Sequence, residues 1–179
     1  MSTASKFARA LARQQALTDS EWLRRADELA EQQHVLLMEL LSFGRDGASD
    51  GQTRALVDYL SVLQFVAAAT SEPASAPVGL QELRDGVERA TRFFYAATTD
   101  DPAHFGRMMR AWYEAVALRN KPVWAFCVET LQQHGIMASP LAEGMVVTLY
   151  AIADVFSRRL GDDRARSPGV TLNPAIDPG

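Results

Sequence analysis

The chain has 179 residues, 47% of them hydrophobic and 22% charged, with a formal net charge of −4. This is enough chain for one domain with a proper core, in the composition of a globular rather than a disordered protein. The acidic balance gives no electrostatic reason to expect nucleic acid or an anionic membrane as the main partner, and no stretch reaches the roughly 18 apolar residues that a membrane span needs.

From the N-terminus, residues 5–16 form a weak amphipathic stretch that predicts a short leading helix. Thr18 and Glu21 then have the spacing of a capping box, in which each side chain satisfies the other residue's orphan backbone donor. The helix it opens is expected to run without a break to Gly44, read as its left-handed stop. Trp22, Ala26, Leu29, Gln33, Leu36, Leu37 and Leu40 share its apolar face. A polar loop follows, and Ser49 with Gln52 offers a second capping box for a helix to about Thr70.

Pro73 and Pro77 make residues 71–79 a connector. Helical spacing resumes from Leu80 to about Ala97 through Leu83, Val87, Ala90 and Phe94. Asp101 before Pro102 reads as an N-cap followed by proline at the first helical position. A further helix begins around Lys121-Pro122 and stops at Gly135. Ser139-Pro140 repeats the cap-then-proline pattern before a last helix from Leu141 to Leu160, ended by Gly161. No segment alternates with period 2 between turn signals. The expectation is an all-α, single-domain bundle of six or seven helices over residues 1–160, with a proline-bearing irregular tail over 161–179.

Candidate chemistry is sparse. Glu31 and His34 have the Glu-x-x-His spacing of carboxylate-bridged metal sites in helical bundles, where both side chains project from one side of a helix. Such sites need the motif twice, and here it occurs once, so the pair is a weak metal candidate and no cofactor is expected. Cys127, the only cysteine, lies between Phe126 and Val128 and reads as a small buried hydrophobe rather than a nucleophile. A lone cysteine, and an N-terminus without the apolar run of a secretory signal, fit a cytoplasmic protein. Lys6 and Lys121 are the only lysines, and such an arginine excess suits a GC-rich bacterial genome or arginine forks at interfaces.

The strongest candidate surface is the aromatic, Met-rich stretch between residues 93 and 126, bordered by arginines. Consecutive aromatics at Phe93, Phe94 and Tyr95 step around the helix at about 100° each, so one of them should point away from the core. Phe93, Tyr95, Arg107, Arg110, Trp112 and Tyr113 are the expected partner-binding residues. Gly86 and Gly144 fall inside helices, and Gly144 with Ala142, Ala151 and Ala153 would permit close helix approach.

The pattern points to a non-enzymatic interaction protein that binds another protein or itself. An alternative is a bundle enzyme or ligand-binding protein with an internal pocket drawn from Glu31, His34, Tyr59 and Glu143. A lesser one is a nucleic-acid-binding subunit, which the interleaved aromatics and arginines favour and the net charge opposes.

Overall fold

The computed structural model describes residues 3–97, 107, 121–138 and 141–161. They form an all-α protein of eight helical segments: α1 (Thr3–Gln15), α2 (Asp19–Gln32), α3 (His34–Arg45), α4 (Asp50–Ala68), α5 (Glu72–Ser75), α6 (Leu80–Ala97), α7 (Lys121–Gln133) and α8 (Ala142–Leu160). A 3₁₀ turn, Ile136–Ala138, links the last two regions. No strand occurs among the described residues. Apart from Arg107, the helix expected after Asp101 lies outside them, as do the Ser139-Pro140 cap and the tail beyond Gly161.

Local chemistry sets most boundaries. Both capping boxes form: the Thr18 amide donates to Glu21 Oε2 at 2.8 Å, and the Gln52 amide donates to the Ser49 hydroxyl at 3.2 Å. The Thr18 side chain, and then its amide, hold the Glu21 carboxyl below the usual carboxylate value. Gly135 and Gly161 take positive φ of 62° and 76° after α7 and α8, a conformation that costs glycine little.

Two expectations about the first long helix are corrected. It is not continuous: α2 ends at Gln32, and Gln33 bends the chain with φ −137° and ψ 48°. The cause is its fully buried side chain. Gln33 Nε2 donates to Gln64 Oε1 at 2.9 Å and to the Ser75 and Ala76 carbonyls at 3.3 and 3.0 Å, while Oε1 accepts from the buried Val78 amide at 2.9 Å. One amide side chain thus links α4 to the connector around α5, and the buried Val78 amide has its acceptor there. Nor does the helix stop at Gly44. It runs on to Arg45, and the positive φ falls at Gly47, 113°. Gly44 lies against α4 instead, where a Cβ would sit 3.0 Å from Thr53 Oγ1.

The core is centred on α4 and α8, on which α3, α6 and α7 pack. Leu36 and Leu40, Leu56, Leu60 and Leu63, and Met145, Leu149, Ile152 and Phe156 are all fully buried. Each such side chain contributes about 1.5–3 kcal/mol relative to exposure. At Gly86, α6 comes close to the backbone of α8, where a Cβ would meet the Ala151 carbonyl oxygen at 3.2 Å. Gly144 does not play the part expected of it: it is exposed and faces the Phe43 ring.

Arginines lock α8 to its neighbours. Asp154, nearly buried, accepts from Arg89 on α6 at 2.7 Å and from Arg158 at 3.0 Å. Arg159 grips Glu82 with both ends of its fork, at 2.8 and 2.5 Å, and also donates to the Ala76 carbonyl.

Candidate interaction groove

Helix α1 is lightly embedded, as is α2, whose one buried residue is Leu29. Among the described side chains of α1, Phe7 and Ala10 are the buried ones. Its attachment is to α4: Lys6 Nζ donates to the Ala69 carbonyl and the Thr70 hydroxyl at 3.1 and 2.8 Å, and Gln14 Nε2 donates to Asp58 at 2.7 Å. The Trp22 indole donates to the same carboxylate oxygen at 2.6 Å, joining α1, α2 and α4.

Between α1 and α7 the bundle leaves an open groove of about 470 Å³. Phe7 and Phe126 form its floor, their ring centroids 5.6 Å apart. Phe126 in turn stacks on the buried Tyr59 ring at 5.2 Å and 15°. The walls are Ala4, Ala8 and Leu11 from α1 and Pro122 and Ala125 from α7, with Lys121 at one end and Glu129 towards the other. Ala4, Ala8 and Ala125 are exposed. Their short side chains let a third helix come close, and the phenyl floor supplies apolar area. Charge on α1 is one-sided, with Lys6, Arg9 and Arg13 and no acidic residue. At the far end Gln14, Asp58, Thr130, Gln133 and His134 line a smaller, more polar cleft of about 140 Å³.

The residues singled out by sequence fall elsewhere. Phe93 is not at the surface but buried, packed edge-on against Phe94 at 5.3 Å, because α6 turns that face towards α8. Arg107 is exposed. Arg110, Trp112, Tyr113 and the Tyr95 side chain lie outside the described residues. Glu31 and His34 stand on either side of the Gln33 bend, both exposed, so the single-helix geometry that paired them is interrupted. The internal-pocket set is not assembled: Glu143 is exposed too, whereas Tyr59 is buried and donates its hydroxyl to the Leu149 carbonyl at 3.2 Å. No group of three or more His, Cys, Asp or Glu able to hold a metal occurs among the described residues.

Cys127 is buried behind the groove floor. Desolvation pushes its thiol up to about 12, with the neighbouring Tyr59 hydroxyl pulling the other way. A thiol so raised is poor in thiolate, the form that acts as nucleophile. Burial likewise lifts the Tyr150 hydroxyl to about 12 and Tyr59 well above its ordinary value.

Phe126 belongs to the aromatic stretch marked in the sequence, but its groove partners Ala4, Phe7 and Ala8 come from a leading helix with no site signal of its own. The only hint was an amphipathic helix whose alanines extend beyond its buried stripe. Among the described residues no helix is long and apolar enough to cross a membrane. The chain matches no protein-family model, no curated protein and no solved structure.

Proposed function

We propose that this protein is a non-enzymatic interaction module that docks an amphipathic helix, from another protein or a second copy of itself, in the α1–α7 groove. The observation that carries the reading is the groove: about 470 Å³, floored by Phe7 and Phe126 and rimmed by exposed alanines. Grooves of this kind take helices through apolar anchors at i, i+3 or i+4, and i+7. Lys121 at one end of the groove and Glu129 towards the other favour a partner with charges of opposite sign at the matching ends of its apolar face. A cytoplasmic location is part of the same proposal, supported by the lone, buried Cys127 thiol.

Site-specific photo-crosslinking in the producing cell tests it. A crosslinking residue at Ala125 should trap a discrete product that the same residue at Met38, exposed on α3, does not. That product should vanish when Ala8→Arg blocks the opposite wall. No product from Ala125, or the same product from both positions, would overturn the proposal.

A further inference from the structure

A second cleft, separate from the groove, lies on the other side of α1. It has a volume of about 100 Å³ and is lined by α1, α2 and α4. At roughly 30 Å³ per water, that is room for about three waters, or for one small polar group. Arg13, Arg24 and Arg25 all border it, together with Glu21, Glu28 and Ser61.

The balance of donors and acceptors is lopsided. Glu21 is already occupied: its Oε2 accepts from the Thr18 amide at 2.8 Å and the Thr18 hydroxyl at 2.7 Å. Glu28 accepts from Arg25 Nη1 at 3.0 Å. Arg25 spends its Nε–H on the Ser61 hydroxyl oxygen at 3.0 Å, which leaves about three of a guanidinium's five N–H donors unused. Ser61 is 1% exposed, and its own proton has no acceptor among the described residues.

Arg13 lies with its guanidinium carbon 5.0 Å from the Phe65 ring centroid and makes no ion pair among the described residues. Stacking of this sort fixes the guanidinium plane and leaves the in-plane N–H groups available. Arg24 is exposed and also forms no ion pair there. Three guanidinium groups against two carboxylates leave one net positive charge, and although Glu21 Oε1 and Glu28 Oε1 remain as acceptors, most of the spare hydrogen-bonding capacity is donor. The complement of such a cleft is a small group that only accepts.

We propose that the α1–α2–α4 cleft binds a small oxyanion, the phosphate or carboxylate group of a ligand, held by Arg13, Arg24, Arg25 and the Ser61 hydroxyl. Arg25 and Ser61 form the fixed part of the site, tied to each other. Arg13 and Arg24 close over the anion from α1 and α2, which suits the planar fork of arginine to oxyanion geometry. The cleft has space for the anionic group alone, so the rest of any ligand would lie in solvent. This inference does not depend on the docking groove.

The test is an NMR titration of the full chain with inorganic phosphate and, separately, acetate, with chloride holding ionic strength constant. We expect saturable shifts confined to amides of residues 10–17, 21–28 and 61–65. Arg13→Ala and Arg24→Ala remove exposed side chains without ion pairs, so the fold should persist, and each should weaken binding about tenfold, the worth of one charge-assisted hydrogen bond. Saturation by phosphate alone would assign the site to phosphate-bearing ligands; saturation by acetate as well would extend it to carboxylates. Non-saturating shifts with both anions, or saturation that neither substitution weakens, would overturn the proposal.

Discussion

On the α4–α8 side of the bundle, buried polar groups and arginine forks tie down α6, the bend between α2 and α3, and the connector around α5. On the α1–α7 side, similar apolar residues meet across an open seam. Gln33 alone makes four hydrogen bonds to α4 and the connector, and Asp154 and Arg159 fasten α6 and the connector to α8. Helix α1 is tied to α4 by Lys6, Gln14 and the Arg13–Phe65 contact, whereas α1 and α7 touch chiefly through the Phe7–Phe126 pair. Burial alone makes a core, but directional contacts fix which surfaces close. Where they are absent, an apolar seam stays open to a further helix.

The comparison can be broken in several places. The largest effect should be on Cys127, in the closed interior at the back of the groove. With its thiol near 12, about one thiol in ten thousand is ionised at pH 8. A disulfide reagent should therefore label the native protein at least about 1,000-fold more slowly than the unfolded chain, through unfolding only. Fast native labelling would mean that the floor formed by Phe126 and Tyr59 opens.

Next is Gln33→Ala. It leaves the Val78 amide and Gln64 Oε1 without their partner, at a cost of about 3 kcal/mol. Urea unfolding should show the midpoint falling with an unchanged slope. A loss near zero would show that the connector finds other partners.

The two helical glycines give a smaller, paired contrast. Gly86→Ala pushes a methyl against the Ala151 carbonyl oxygen, 3.2 Å away on a packed helix. Overpacking should outweigh the gain in helix propensity, for a net loss of about 1 kcal/mol. Gly144→Ala meets only the partly exposed Phe43 ring, which can shift. There propensity should win, by about 0.5 kcal/mol. Thermal melts of the two variants should move in opposite directions. The smallest effect on stability is expected for Ala125→Arg at the groove wall, within about 0.5 kcal/mol, although it should abolish docking.

How much of this was legible depended on range in sequence. Both capping boxes, the proline at the start of α7 and the stops at Gly135 and Gly161 stand where the residues indicate, because caps and turns are decided by neighbours a few positions away. The bend at Gln33 was hidden. A glutamine inside an amphipathic run carries no stop signal, and its partners lie at residues 64, 75, 76 and 78. Gly44 misled for the same reason: its role is to let α3 approach Thr53, a tertiary demand rather than a cap. The groove was illegible because it exists only once α1 and α7 lie side by side, and the oxyanion cleft likewise needs Arg13 and Arg25 to meet across two helices.

The contrast between the two sides is tested most directly by hydrogen–deuterium exchange of the isolated protein. With Phe7 and Ala10 buried and Lys6, Gln14 and Arg13 reaching α4 from the surface, α1 should open for about 3 kcal/mol, well below global unfolding. Amides of residues 3–15 should therefore exchange at least about 100-fold faster than those in the buried stretches of α4 and α8. Equal protection across α1, α4 and α8 would contradict the account, since the groove wall would then be as firmly closed as the core.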